Sequence, residues 1–183
     1  RLAAYDEHDM ALLEAFAAQA AIAIENARLY QGSLRTKQLE KELEVAGEIQ
    51  RTLMPRWVPH VPGLSLAVLS RPSAAVGGDF YDVIEAENGD VGFAVIDIAG
   101  KGVPAAMLTA MIRTMIRSQF RNTHNAARVL SMTNRELYDD MNRIDSFATA
   151  VFAVLIPEAG LFHYVGAGHT STLWWQSSSG SVT

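Results

Sequence analysis

From Asp9 to Tyr30 the apolar residues recur at helical spacing. Leu13, Phe16, Ala20, Ile24 and Ala27 fall on one face, and Leu12, Ile22 and Leu29 on a second. Alanine is abundant, proline and glycine are absent, and Asp6 or Asp9 can cap the start, so the stretch predicts a helix over 9–30. A helix apolar on two sides needs two partners. Residues 33–54 predict further helix, separated from the first only by Gly32 and able to continue it. Leu39, Leu43, Ala46 and Leu53 lie near a heptad register with Gln50 at a core position, while Lys37, Glu40, Lys41, Glu42 and Glu44 supply a solvated side. The pattern fits either a surface helix or a parallel coiled coil.

Pro55, Pro59, Pro62 and Gly63 end the helical pattern and place a domain boundary near 55–63. Short runs rich in Val, Ile, Phe and Trp follow, predicting strands at 64–69, 80–84, 91–96, 147–156, 161–165 and 171–175. Asn88-Gly89 is a strong hairpin signal and Ala159-Gly160 a weaker one. Two helices come between the third and fourth strands. The first starts at Pro104 and buries Met107, Leu108, Met111, Ile112, Met115 and Ile116; the second runs from about Asn125 to Met141. The Ser/Gly-rich end, 176–183, reads as a loop or disordered tail. Hairpins, a helical pair and more hairpins make an α+β layered domain with antiparallel sheets.

Composition narrows the function classes. The chain has 183 residues, 49% hydrophobic and 19% charged, which is globular rather than disordered. A net charge of −5 gives no nucleic-acid footprint. The absence of cysteine excludes disulfides and thiolate metal sites and fits a cytoplasmic protein. The polar start, Arg1 to Asp9, lacks a signal-peptide layout, and the run Ala11–Ile24, interrupted by Glu14 and Gln19, is too short to span a bilayer, so no membrane insertion is expected.

Two aspartates carry the candidate chemistry. Asp79 follows Gly77-Gly78 at the start of a strand; Asp97 ends the next and leads into Ile98-Ala99-Gly100-Lys101-Gly102. If the Asn88-Gly89 hairpin joins these strands, both carboxylates stand at its open end. That suits a hard divalent cation, which takes oxygen ligands. The glycines let backbone come close to a metal or a phosphate. Asp before a glycine turn also serves as an ordinary loop or helix cap, and these two positions alone leave both readings open. A Walker A loop does not fit Gly100-Lys101-Gly102, because Val95 and Gly102 stand where Gly and Ser/Thr are required. His169 can stabilise a phosphate or hold a turn beside the sheet; Arg71 can pair with phosphate or serve structure or regulation; Lys101 is a solvated side chain by default.

The run Arg71-Pro72-x-x-x-Val76-Gly77-Gly78-Asp79-Phe80-Tyr81-Asp82 resembles the first signature of SpoIIE/RsbU-type metal-dependent (PPM-type) serine/threonine phosphatases. Asp97-Ile98-Ala99-Gly100-Lys101-Gly102-Val103-Pro104-Ala105-Ala106 resembles the second. Gly166-Ala167-Gly168-His169 resembles the family's Gly-His segment, and Glu48-Ile49-Gln50-Arg51-Thr52-Leu53-Met54-Pro55 its pre-catalytic helix. Residues 6–30 look like the last helix of a GAF sensor domain.

The resemblance implies an αββα layered sandwich of two antiparallel sheets, C-terminally incomplete here, behind a helical or coiled-coil linker. It implies two Mn²⁺ or Mg²⁺ ions, with Asp79 bridging both, Asp97 binding one, and the Ile98 backbone carbonyl beside it. Gly78, Asp82, Gly100, Lys101, Arg71 and His169 are further candidates for substrate or supporting contacts. The implied substrate is a phosphorylated STAS-domain anti-sigma-factor antagonist in bacterial stress or sporulation signalling. The implied division is a GAF-like end helix over 1–31, a signalling linker over 32–55, a partial phosphatase domain over 56–175 and a tail over 176–183. A homodimer through the N-terminal helices is expected. Signal would pass from the linker, packed on helices 104–120 and 125–141, to the turn Gly100–Pro104. Ala75 replaces the family's usual acidic residue and Ala99 its usual Ser. The family's later aspartates have no match, so the fragment is expected to lack part of its metal ligands. The alternative is a non-catalytic dimeric switch that binds a regulatory partner.

Overall fold

The structure, a computed structural model, describes residues 6–55, 57–71 and 74–183. Arg1–Tyr5 of the sensor-like stretch and Pro72 of the first signature lie outside the described residues. Helix α1 runs unbroken over Glu7–Leu53, through Gly32. Asp6 caps it: its carboxylate accepts from the backbone N–H groups of His8 and Asp9, both at 2.9 Å, while Asp9 returns a carboxylate to the Asp6 N–H at 3.0 Å.

The chain divides into two units, up to Glu42 and from Leu43 on. This division falls before the proline-rich boundary read from sequence, because the last turns of α1 belong with the domain that follows. In the first unit α1 is exposed along its length, with Leu13, Phe16 and Ile24 each about two-thirds accessible. Its most apolar 18 residues have a mean hydropathy of 1.2, so by length and composition alone α1 could cross a membrane. The core helix of a water-soluble protein passes the same test, so the expectation of no membrane insertion is not overturned.

The second unit is built on a four-stranded antiparallel sheet of order β1-β2-β3-β4. The strands are β1 Phe80–Glu85, β2 Val91–Ile98, β3 Ala148–Ile156 and β4 Leu161–Ala167. β1 and β2 form the expected hairpin, with Gly89 at φ 84° in its turn. Helices α2 (Val103–Asn122) and α3 (Ala126–Arg143) cover one sheet face. There Ile112, Ile116, Phe120, Val129 and Leu130 pack on Phe80, Ile96, Phe152 and Val154. Full burial of such side chains contributes about 1.5–3 kcal/mol each. The other face carries Val83 and Val91, against which Val61 and Leu66 pack from the preceding segment.

Some expected elements differ. Residues 64–69 are not a strand: the segment closes over Val83 and Val91 without pairing to an edge. The predicted strand at 171–175 shrinks to β5 (Trp175–Gln176), paired with β6 (Ser181–Val182) from the tail expected to be loop. The described residues hold one large sheet and this ribbon; the second large sheet implied by the resemblance is not among them.

Asp82 is 1% exposed and faces the helices. Arg117 donates to both its oxygens, from Nε at 2.6 Å and Nη2 at 2.7 Å. Arg113 Nε stands 3.3 Å from the same carboxylate but makes no aligned hydrogen bond. The pair ties β1 to α2, and the hydrogen bond to Asp82 raises the Arg117 pKa further, which keeps the guanidinium charged. Removing one partner leaves an uncompensated buried charge. Asp82→Ala should therefore cost about 3 kcal/mol or more in urea unfolding. Arg113→Met should stay within about 1 kcal/mol of wild type, since the aligned bonds remain.

Candidate metal centre

The β1–β2 register pairs Phe80 with Ile96. One step further along the ladder, Asp79 stands opposite Asp97. Phe80 and Ile96 point into the helix-covered core, so the alternation of side chains puts both aspartates on the other face, at the end of the sheet. Asp97 pairs in turn with Thr149 of β3. Thr149 Oγ1 lies 2.7 Å from His169 Nδ1. Asp79, Asp97, Thr149 and His169 thus form a row across one end of the sheet, drawn from four separate stretches of chain.

The loop geometry explains the glycines. A Cβ on Gly78 would stand 2.7 Å from the Ile98 carbonyl oxygen, so only glycine lets the loop before β1 come this close to the end of β2. Ile98 O is thereby brought beside the residue preceding Asp79. Beyond it, Gly100 at φ 109° and Gly102 at φ 76° turn the chain into α2, whose first turn holds Pro104. Lys101 is exposed on this turn. Arg71 is also exposed and makes no ion pair among the described residues. Asp82, a candidate for the site, faces the opposite side and belongs to the ion pair with Arg117. His169 is held by Thr149, as a turn-holding histidine would be.

The two acids interact directly. The Asp79 carboxyl is held above the usual aspartate range, first by its hydrogen bond to Asp97, then by partial burial and the Asp97 charge; His169 pulls the other way. Two facing carboxylates share a proton when nothing else lies between them. Oxygen-only donors meeting at an exposed point fit a hard divalent cation. Such a cation takes about six oxygen ligands, and among the described residues no three acidic or histidine side chains converge as a ligand cluster. Asp79, Asp97 and the Ile98 carbonyl could hold part of its shell.

Sequence reasoning did not single out Thr149 or Thr109. Thr109 Oγ1 lies 3.2 Å from Gly78 O and 3.0 Å from Ala105 O. Neither threonine sits in a motif with a chemical signature; only the strand register and the helix docking place them. Gln50 did leave a signal, a polar residue at a heptad core position, but its partner in the fold could not be read from it.

The pair predicts a pH and metal signature. A carboxyl raised on folding contributes stability that is fully present below the unfolded value, about 4, and is lost as pH rises through the folded value. Without divalent cation, Asp79→Asn should raise the Tm at pH 7 and leave it unchanged at pH 3.5. Mn²⁺ at a hundred times its dissociation constant should stabilise the wild-type chain by about 2.7 kcal/mol, and Asp79→Asn by much less. Calorimetry at the two pH values checks both.

Comparison with known proteins agrees with this frame. The profile of the family Stage II sporulation protein E (SpoIIE) matches residues 87–183, just over half the chain. Phosphoserine phosphatase RsbU of Bacillus subtilis (strain 168) is 28% identical over 133 residues, covering 73% of this chain and 39% of RsbU. Phosphoserine phosphatase RsbP of the same strain is 24% identical over 154 residues, covering 82% of this chain and 37% of RsbP. The chain thus spans less than two-fifths of the length of these relatives. The SiaA-PP2C domain of Pseudomonas aeruginosa superposes with a TM-score of 0.60 at 23% identity, over 72% of this chain and 55% of that domain's chain, and supports the α+β PPM-like fold. By this profile match, the chain belongs to the SpoIIE family.

Proposed function

We propose that this chain forms the front part of a metal-dependent protein serine/threonine phosphatase. The single observation that carries the reading is the Asp79–Asp97 pair, drawn to one point by a hairpin register and a glycine contact. Family membership and the similarity to RsbU and RsbP, both named phosphoserine phosphatases, support it.

In this reading Asp79 and Asp97 would hold two Mn²⁺ or Mg²⁺ ions, with the Ile98 carbonyl as a neighbouring ligand. Divalent cations held there would lower the pKa of a water and supply positive charge for phosphoryl oxygens. A bound cation would keep both carboxylates ionised by offsetting their mutual repulsion. The Gly100–Gly102 turn keeps side chains away from the mouth, leaving backbone and Lys101 to meet an incoming phosphate. Thr149 fixes the His169 ring at the same sheet end. The substrate is a phosphoserine or phosphothreonine on a STAS-domain anti-sigma-factor antagonist, reached in the cytoplasm.

The exposed apolar positions of α1 serve a homodimer through the N-terminal helices rather than a bilayer. Lys37, Glu40, Lys41, Glu42 and Glu44 would flank the heptad leucines on a solvated side. Residues 6–31 would end a GAF-like sensor, and 32–55 would carry its signal. The end of α1 touches the loop at Ala75–Gly77, and in this reading that contact is a further way for the linker to reach the site.

A second reading, a non-catalytic dimeric switch, draws on the absence of a three-ligand cluster among the described residues. Hydrolysis of a phosphoserine peptide separates the two. It should be measured in a protein carrying this chain together with the C-terminal length of its relatives. The phosphatase reading predicts Mn²⁺-dependent turnover, reduced at least about a hundredfold by Asp79→Asn. Absence of turnover would favour the switch, and turnover indifferent to Asp79→Asn would remove Asp79 from the reacting centre.

A further inference from the structure

We infer that Gln50, near the end of α1, is a positioning residue that sets the loop carrying Asp79. The inference rests on the reading of Asp79 as a cation ligand. The Gln50 carboxamide meets both backbone groups of Gly77: its Nε2 donates to Gly77 O at 2.5 Å, and Gly77 N donates to its Oε1 at 3.0 Å. A side chain here does what a neighbouring strand would do, for a loop that has no strand beside it.

The contact is built from more than one residue. Gly47, one turn earlier on α1, is buried, and a Cβ there would stand 2.2 Å from Ala75 O. The helix therefore touches the loop backbone itself. On another side the Thr109 hydroxyl of α2 lies 3.2 Å from Gly78 O, and Gly78 rests against Ile98 O. Residues 75–78 are gripped by the end of α1, by α2 and by the end of β2, and Asp79 is the next residue. Its carboxylate can face Asp97 only while that grip holds.

The chemistry is specific to glutamine. Glutamate has the same reach but only acceptors, so it loses the bond to Gly77 O and sets a negative charge against that carbonyl. Leucine loses both bonds, and asparagine is one methylene short. The contact also makes the loop sensitive to the setting of α1. A turn of the helix by one residue step, about 100°, carries the carboxamide away from Gly77.

The test is Mn²⁺ affinity by titration calorimetry, together with hydrogen exchange at the Gly77 amide, in the wild-type chain and in Gln50→Leu, Gln50→Glu and Asp79→Asn. The wild type should bind Mn²⁺ and protect the Gly77 amide. Gln50→Leu should bind at least tenfold more weakly and lose that protection. Gln50→Glu is the discriminating variant: an added negative charge near a cation site would tighten binding if charge alone mattered, whereas lost positioning weakens it. Circular dichroism and Tm identify any variant that fails to fold. In that case the wild-type Gly77 amide still decides, because an unprotected amide there overturns the inference. If Asp79→Asn abolishes binding while both Gln50 variants bind within twofold of wild type, the positioning role falls and the cation reading stands. If Asp79→Asn binds like wild type, the cation reading falls and this inference with it.

Discussion

Two carboxylates set opposite each other on neighbouring strands repel, and the fold around Asp79 and Asp97 must hold them there all the same. The backbone supplies the restraint. The β1–β2 ladder fixes Asp79 across from Asp97, and the contact of Gly78 with Ile98 O leaves the preceding loop no room to withdraw. The raised pKa of Asp79 records the strain of this placement in proton affinity.

The rest of the domain is arranged around that restraint. α2 and α3 bury one face of the sheet and anchor it through the Asp82–Arg117 pair, so β1 cannot slide against the helix layer. The acids occupy the other face, at the end of the strands, where solvent reaches them. The two faces thus differ: Phe80, Ile96 and Phe152 hold the sheet, and Asp79, Asp97 and Thr149 stand on the face away from the helices. The end of α1 belongs to this arrangement because Gly47 and Gln50 touch the loop that leads to Asp79.

The hairpin, the helical pair and the approach of the two aspartates were legible in sequence, because each rests on local signals. Asn88-Gly89 sets the turn, Pro104 starts α2, and alternation within 91–98 sets the faces. What could not be read depended on distant partners. Asp82 looked like part of the acidic motif, yet strand alternation turns it toward Arg117, and no local feature names that partner. The apolar run 64–69 has the composition of a strand but finds no edge to pair with. Gln50 stood out only as a polar residue in a heptad seam, and its bond to Gly77 spans the fold. The helix–domain division at Glu42 was hidden for the same reason: α1 is continuous, and only its contacts change.

The most direct measurement is a crystal structure of the chain grown with Mn²⁺, with anomalous difference density calculated at the manganese edge. The account predicts a peak between the Asp79 and Asp97 carboxylates, within coordination distance of both, and the loss of that peak in Asp79→Asn. Carboxylates that turn apart with no peak between them, or manganese bound only elsewhere on the surface, would contradict it.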